Sequence, residues 1–440
     1  MKLSKSLYTR AIQCQKSLWL KKHNKDVLTP PNAAAQTIFQ NGNEVGDLAC
    51  KLFPNGVEIP YLNTTFQDKI NLTQEYINQG TQNIYEATFE FDGILIMIDI
   101  LNIKDNSVII NEVKSSTQVK DIYLHDASIQ YYVLNGLGYD VKKVNIIHIN
   151  NEYVRDEELD INQLFSVVDV TYEVKELQAN IKNNLEIFRK TLAKEDEPNI
   201  DIGTHCNEPY ECDAKNYCWS HIPNYSIFDI SRLKSQKKFE LYQNGILEFS
   251  QIKDINSFSI SQQIQIESER QNRTIINKEG IKEFVNSLSY PIYHLDFETF
   301  QQAIPEFKGV SPYSQIPFQY SLHIEHKDGR LEHKEFLALD GADPREEIAK
   351  RLVEDIPSNV TVLAYNMGFE KGVIRKLANL FEQYSHGLMA IHDNCKDLMI
   401  PFQNKDYYHP NMKGSYSIKY VLPSLVPEFE NAYKELDLIH

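Results

Sequence analysis

Polar and apolar positions alternate at helical spacing through the first sixty residues. Leu7, Ile12, Leu18 and Trp19 predict one helix, and Ala33 to Phe53 a second, closed by the turn Pro54-Asn55-Gly56. From 84 to 115 the period shortens to that of strands. Ile84–Phe91, a turn at Asp92-Gly93 and Ile94–Leu101 read as a hairpin, and Val108–Lys114 follows as a third strand. Asp126–Leu137 reads as a helix ended by Gly136 or Gly138, Lys143–Ile149 as a further strand, and Glu173–Ala193 as a charged helix. Residues 224–290 are mostly helical and polar, and read as a connector. A second α/β pattern starts at Ile292-Tyr-His-Leu-Asp-Phe-Glu298, with strands at 316–324, 331–339 and 360–365 and a helix after Asn366. This order predicts an α/β protein with mixed sheets and without internal repeats.

A chain of 440 residues exceeds one hydrophobic core. The composition shifts place a first domain at 1–222, a helical connector at 223–289 and a second domain at 290–440. The richest apolar run, Gly93–Asp99, is short and carries an acid, so it is a buried strand rather than a membrane span. Lys2 and Lys5 are not followed by an apolar segment, so a secretory signal is not expected and a cytoplasmic location is. The net charge of −16 does not advertise nucleic-acid binding. It lowers that expectation only modestly, because metal-dependent nucleases carry acidic sites whose ions supply the positive charge.

The first chemical constellation is Asp99 at the end of an apolar strand and Glu112-Val113-Lys114 on the next. On neighbouring strands the two carboxylates can face one side and share a divalent ion, with Lys114 two residues along on Glu112's side. Oxygen ligands for Mg²⁺ or Mn²⁺ beside a fixed cation are the set that phosphodiester hydrolysis uses. A second copy, Glu173-Val174-Lys175, lacks an upstream hairpin acid and reads as a helix start with solvated charges. Glu44, in Gly42-Asn-Glu-Val-Gly46, is a candidate third carboxylate, the glycines permitting close helix–sheet approach. Gln130, with Tyr131 and Tyr132, is a candidate for phosphate or base contact.

Three cysteines, Cys206, Cys212 and Cys218, crowd one short window. Without a signal peptide, such crowding favours a metal or cluster site over disulfides. Cys50 and Cys395 stand alone among apolar neighbours and read as small buried side chains.

Residues 1–220 resemble the RecB-like branch of the PD-(D/E)XK nucleases, in the iron–sulfur form with one cysteine before the nuclease core and three after it. Cys14, Cys206, Cys212 and Cys218 occupy those places, and the resemblance implies a [4Fe–4S] cluster on four thiolates. The even six-residue spacing departs from the family's usual Cys-x-x-Cys pair. It keeps Zn²⁺, held by cysteines and His205 or His221, as the alternative. The tyrosines also depart, following Gln130 directly instead of one turn later.

In the second half, Asp296 and Glu298 lie at i and i+2 on one strand face, and Val362–Glu370 runs from a strand into a helix with Asn366 and Glu370 at the junction. This resembles the DEDD exonucleases, an RNase H-like fold, with Glu370 standing where that family has Asp. Asp397-Leu398 matches the element that follows, although His392 and Asp397 have the spacing of the family's last motif. The helix Gly414–Pro423 precedes the place for a third motif, and the chain ends at His440 before one. The resemblance implies metal binding by Asp296, Glu298, Glu370 and Asp397. The whole order resembles a bacterial family of unknown function, which supplies no reaction. The sites point to a metal-dependent nuclease, acting on DNA with single-stranded ends and with RNA left open. The alternatives are a non-catalytic nucleic-acid-binding scaffold, or exonuclease chemistry housed in the second half.

Overall fold

The computed structural model describes residues 3–104 and 107–429 and divides into two compact units, both mixed α/β. Among the described residues, one comprises the chain up to His221 with the excursion Gln302–Tyr313; the other comprises Ile222–Gln301 and the chain from Ser314 onward.

In the first unit Asn83–Phe91, Ile94–Lys104 and Ser107–Lys114 form an antiparallel meander. Asp140–Ile149 then joins parallel to the third strand after a crossover helix, Asp121–Gly136. Val57–Glu58 and Phe165–Asp169 complete the edges. The first hairpin turns at Asp92 and Gly93, whose φ values of 49° and 68° suit a two-residue turn. Ile94, Ile96, Ile98 and Ile100 alternate into the interior, where most of them meet Ala127, Val133 and Leu134 of the crossover helix and Ile181 and Leu185 of the long helix Thr171–Leu192.

The sheet forks along one side of Ile94–Lys104. From Ile100 to Lys104 its neighbour is Ser107–Asn111, whereas at Ile94 and Leu95 the neighbour is Leu3 and Ser4, running parallel. These two pairings leave Ile96–Asp99 between them. Beyond the fork, Glu112, Val113 and Lys114 continue in register with Ile146, Ile147 and His148. A sheet that splits in this way opens a space between strands, and the candidate acids border it.

The helix expected through Leu7–Trp19 is two helices, Lys5–Gln13 and Gln15–His23, separated by an extended Cys14 (φ −160°, ψ 119°). No proline or glycine marks this break. Arg10 holds it from outside, pairing in two-pronged fashion with Asp213 at 2.7 and 2.8 Å, while Gln13 donates to the carbonyls of His205 and Tyr210.

The second unit carries a sheet ordered Leu331–Leu337, Ile316–Glu325, Ile292–Phe300, Thr361–Ala364, Cys395–Asp397. Its first three strands are antiparallel and its last two join in parallel. Helices Arg345–Asp355, Gly368–Leu380 and Glu382–Asp393 contribute to its core. The stretch read as a connector groups with this unit and has a core of its own, in which Ile227, Ile230, Phe249, Ile252 and Ile266 are buried. Ile275 and Ile276 pair with Tyr408 and Tyr407.

A buried amide pair marks where the ladder of the first sheet ends. Asn145 donates to Asn111 Oδ1 at 2.8 Å, and both residues are buried. Asn111→Ala strands the Asn145 amide and is expected to cost about 1–3 kcal/mol in urea unfolding. The double variant with Asn145→Ala is expected to cost less than the sum of the two singles; strict additivity would show that the pair does not act as one.

Candidate functional site

Ile100 pairs with Asn111, so Asp99 and Glu112 are the next cross-strand positions where the ladder stops. Asp99 Oδ2 accepts the Val113 backbone N–H at 2.7 Å. Glu112 is 1% exposed, yet it is fully engaged. Its Oε1 accepts from Lys5 Nζ and Lys114 Nζ, each at 2.7 Å, and its Oε2 from Gln130 Nε2 at 2.6 Å. Lys114 also reaches Asp126 Oδ2 at 2.7 Å, and Lys5 lies 3.5 Å from Asp126 Oδ1. The N-terminal strand delivers Lys5 here, because Leu3 and Ser4 fill the lower limb of the fork. The crossover helix delivers Asp126 and Gln130 from one face, four residues apart.

Three carboxylates face two ammonium groups, so negative charge is in excess. Burial would raise the Glu112 carboxyl, but Lys114 and Lys5 overcome that effect and hold it well below the usual range. Burial and then the Glu112 charge raise both Asp99 and Asp126. Glu86, raised by burial, adds to the excess. It sits at φ 57° in the gap between the Tyr85–Ile100 and Ala87–Ile98 pairings, opposite Asp99. Asp126 Oδ1 and Gln130 Oε1 are buried without a hydrogen-bond partner among the described residues, and Lys5 Nζ lies 3.5 Å from the first. Excess carboxylate charge beside an unpartnered amide oxygen is a donor type that suits a hard divalent cation. Among the described residues, no group of three or more His, Cys, Asp or Glu side chains is spaced to hold a metal; here the lysines span the acids.

The fold thus brings together Asp99, Glu112, Lys114 and Gln130. Among the described residues, Glu44 is not one of their hydrogen-bond partners. Val45 and Ala49 take the buried face of helix Ala33–Ala49, which leaves Glu44 exposed beside Gln40 at 3.4 Å. A Cβ on Gly42 or Gly46 would meet nothing within 4 Å, so these glycines mark no close approach. Gln130 spends its amide on Glu112, Tyr132 donates to Asp92 at 3.0 Å, and Tyr131 packs on the core. Glu173 and Lys175 are exposed in the first turns of helix Thr171–Leu192. Lys5, Asp126 and Glu86 are the residues that sequence reasoning missed. Only Asp126 left a signal, its i,i+4 spacing from Gln130.

Cys14, Cys206, Cys212 and Cys218 line one pocket, with Lys16 and His205 beside them, whereas His221 is exposed and not among its lining. All are free thiols. Burial and then the other thiols raise Cys218 to about 11; burial also raises Cys14, partly offset by backbone N–H groups of Ser17 and Lys16. Four soft sulfur donors from both ends of the unit, with Asp201 also lining the pocket, are the donor type of an iron–sulfur cluster or zinc, although among the described residues no three of them stand at metal-ligand spacing. The Tyr210 hydroxyl, from the same window, donates to that of Tyr123 at 3.3 Å, and the Tyr123 ring lies under Lys114 at 5.2 Å. The cysteine window therefore touches the support of the acidic site.

In the second unit Asp296 and Glu298 share the exposed face of strand Ile292–Phe300, and Glu370 stands in the first turn of helix Gly368–Leu380. Asp397 Oδ1 accepts the N–H groups of Asn366 and Met399, both at 2.9 Å, fixing the junction where Asn366 takes φ 70°. Burial, with Asp296 and Asp397 nearby, pushes Glu370 up to about 7, and among the described residues its buried Oε2 has no hydrogen-bond partner. Asp296 is raised by burial and then by Glu298. The four acids form one electrostatic group. His392 is engaged elsewhere, with Arg375 at 2.9 Å and Asp393 at 2.7 Å. The place for a third acidic motif, beyond 429, lies outside the described residues.

No helix among the described residues is long and apolar enough to cross a membrane. Residues 293–417 match a domain of unknown function, DUF2779. The chain is 26% identical over 183 residues to the uncharacterized protein UU173 of Ureaplasma parvum, covering 39% of this chain and 26% of that one. It is 24% identical over 286 residues to the uncharacterized protein MG366 of Mycoplasma genitalium, covering 60% of this chain and 40% of that one. The alignments thus span less than half the length of these relatives. The crystal structure of SSO0001 aligns with 51% of this chain and 86% of its own at 11% identity, with a TM-score of 0.24. The chain therefore carries a DUF2779 segment and has uncharacterized bacterial relatives.

Proposed function

We propose that the first unit is a metal-dependent nuclease of RecB-like PD-(D/E)XK type, hydrolysing DNA phosphodiesters at single-stranded ends. The observation that carries this reading is the convergence of Asp99, Glu112 and Lys114 at the fork of the sheet. Asp99, Glu112 and Asp126 would hold Mg²⁺ or Mn²⁺, which when bound polarises a phosphate and acidifies a water. Gln130 orients Glu112. Lys114 holds Glu112 and Asp126 in position and presents an ammonium beside developing phosphate charge. Lys5 offsets part of the negative charge at the fork. The four thiolates would hold a [4Fe–4S] cluster, or Zn²⁺ in the alternative, fixing Cys14 and hence the start of the chain that carries Lys5. A cytoplasmic setting, where thiols stay reduced, accords with this chemistry.

A second reading places exonuclease chemistry in the second unit, in an RNase H-like arrangement of DEDD type. It is favoured by the unpartnered, buried Glu370 Oε2 among Asp296, Glu298 and Asp397. Asp99→Ala and Asp296→Ala, compared on 3′-labelled single-stranded DNA with Mn²⁺, separate the two readings. Loss of cleavage in Asp99→Ala with activity kept in Asp296→Ala supports the first, and the reverse supports the second. Metal-dependent binding of DNA and RNA without any cleavage by the unaltered protein overturns both in favour of a scaffold.

Asp99 and Asp126 hold protons more tightly in the folded protein than free carboxylates do, so a metal must displace protons from them. Their protonated forms favour folding, and that contribution is lost as pH rises through the raised values. Mn²⁺ affinity measured by calorimetry is therefore expected to be greater at pH 8 than at pH 6. Gln130→Ala is expected to weaken it about 10–100-fold by releasing Glu112. Equal affinity at both pH values would contradict this electrostatic account.

Anaerobically purified protein is expected to contain iron and acid-labile sulfide with a brown absorbance that Cys14→Ser, Cys206→Ser, Cys212→Ser and Cys218→Ser each abolish. Zinc without iron selects the alternative ligand. Absence of both metals, or indifference to these substitutions, removes the cluster from the reading.

A further inference from the structure

Strand Leu331–Leu337 ends the second unit's sheet. It pairs with Ile316–Glu325 on one side, without a register shift, and with no described strand on the other. It is seven residues long, whereas Val57–Glu58, Phe165–Asp169 and Cys395–Asp397, which end the two larger sheets elsewhere, have two, five and three. Proteins commonly guard a sheet edge by keeping it short or by a proline or a bulge. This strand has none of these. Leu331 and Leu337, at its two ends, are each 65% exposed. The flanking bonds fix its hydrogen-bonding phase. The Ala338 N–H donates to the Phe318 carbonyl and the His326 N–H to the Arg330 carbonyl, each at 2.9 Å. Such pairs alternate along an antiparallel ladder, so the even positions bond inward and the backbone groups of Leu331, His333, Glu335 and Leu337 point away from the sheet.

The same four side chains share the face that carries Asp296, because Glu335 is opposite Ser321 and Ser321 is opposite Asp296. In order they are apolar, imidazole, carboxylate and apolar, a series that complements itself when reversed. A second copy laid antiparallel along the full strand sets Leu331 opposite Leu337 and His333 opposite Glu335, each contact occurring twice about a two-fold axis. Sliding the copy by two residues either way sets His333 or Glu335 against itself and a leucine against the other polar side chain. Only full overlap matches apolar with apolar and base with acid. Lys334, the kind of residue that commonly discourages edge pairing, lies on the opposite face and is held by Asp355 at 2.8 Å. At the axis each lysine therefore brings its own counter-charge.

We propose that this edge is an interaction surface for a second copy of the chain, paired antiparallel through Leu331–Leu337 about a two-fold axis at Lys334. The pairing would add about eight backbone hydrogen bonds and cover Leu331 and Leu337 in both copies. It would join two five-stranded sheets into one, with the Asp296 faces of both copies on the same side. A strand pair buries less than the roughly 1,000 Å² that a stable interface clears, so the dimer is weak and forms as concentration rises. The inference concerns the second unit alone and does not depend on either nuclease reading.

Sedimentation velocity of the full chain, at concentrations up to about 100 µM, is expected to show a reversible monomer–dimer equilibrium. Glu335→Pro removes an N–H that points away from the ladder, a position where edge strands tolerate proline. It is expected to weaken the dimer at least about tenfold, since the two-fold axis repeats the loss. Glu335→Lys is expected to weaken it as well, by removing the carboxylate opposite His333. Adding His333→Glu to Glu335→Lys is expected to restore it, because the exchanged pair meets again in this register alone; this exchange carries the test if Glu335→Pro fails to fold. Hydrogen exchange at the Leu331, His333, Glu335 and Leu337 amides is expected to slow as chain concentration rises. A monomer at every concentration overturns the proposal. So does a dimer indifferent to the Glu335 variants, or one that the exchange does not restore. Slow exchange of these amides independent of concentration means that another segment of the same chain covers the edge, and overturns it too.

Discussion

The first unit is organised around one buried carboxylate. Glu112 lies on a strand that has left one partner and kept another, and its two oxygens are held by two ammonium groups and an amide. Burying a carboxylate is costly unless its charge is balanced and its lone pairs are met. Each partner comes from a different element: Lys114 from the same strand, Gln130 from the crossover helix and Lys5 from the start of the chain. The carboxylate therefore fixes where those elements meet. Removing one partner of such a buried pair typically costs about 3–5 kcal/mol, far more than an exposed ion pair contributes. The fork in the sheet is the geometric counterpart. Strand Ile94–Lys104 changes neighbours along one side, and the interval between neighbours is where Asp99 and the lysines face one another.

Three places in the molecule hold charge that the protein itself does not balance, and each does so differently. At the fork, acids outnumber cations, and the excess appears as raised proton affinity at Asp99 and Asp126. In the second unit, Glu370 Oε2 has no hydrogen-bond partner among the described residues, and burial shifts the group toward its neutral form. At Lys405 the sign is reversed, and burial acts on an ammonium. Leaving such groups unmet costs folding stability at each of these places.

Much of this arrangement was legible in the sequence. The hairpin followed from alternation around Asp92-Gly93, and the Asp99 and Glu112 positions followed from strand order, because a meander places successive strand ends together. The second copy of the triplet, at Glu173, was separable because it lacked that hairpin. Other features were not legible, for physical reasons. Lys5 reaches Glu112 only because Leu3 and Ser4 pair with Ile94 and Leu95, a long-range contact with no local pattern. The break at Cys14 carries no glycine or proline and is imposed by Arg10, Gln13 and the distant cysteine window. Glu44, a candidate third carboxylate, lies on a helix whose buried face is taken by Val45 and Ala49, which leaves its side chain exposed. The polar stretch after 222 looked like a linker because its apolar residues are scattered through short turns. They gather into a core only when Phe249, Ile252 and Ile266 pack together.

The central claim is that the fork gathers its acids for a divalent ion and not merely for two lysines. Diffraction from crystals soaked in Mn²⁺, recorded at the manganese absorption edge, addresses this directly. The account predicts an anomalous peak within bonding distance of Asp99 and Glu112, with the Lys5 or Lys114 ammonium shifted from its place on Glu112. Ordered crystals with both lysines still on Glu112, and no peak at the fork under saturating Mn²⁺, would contradict it.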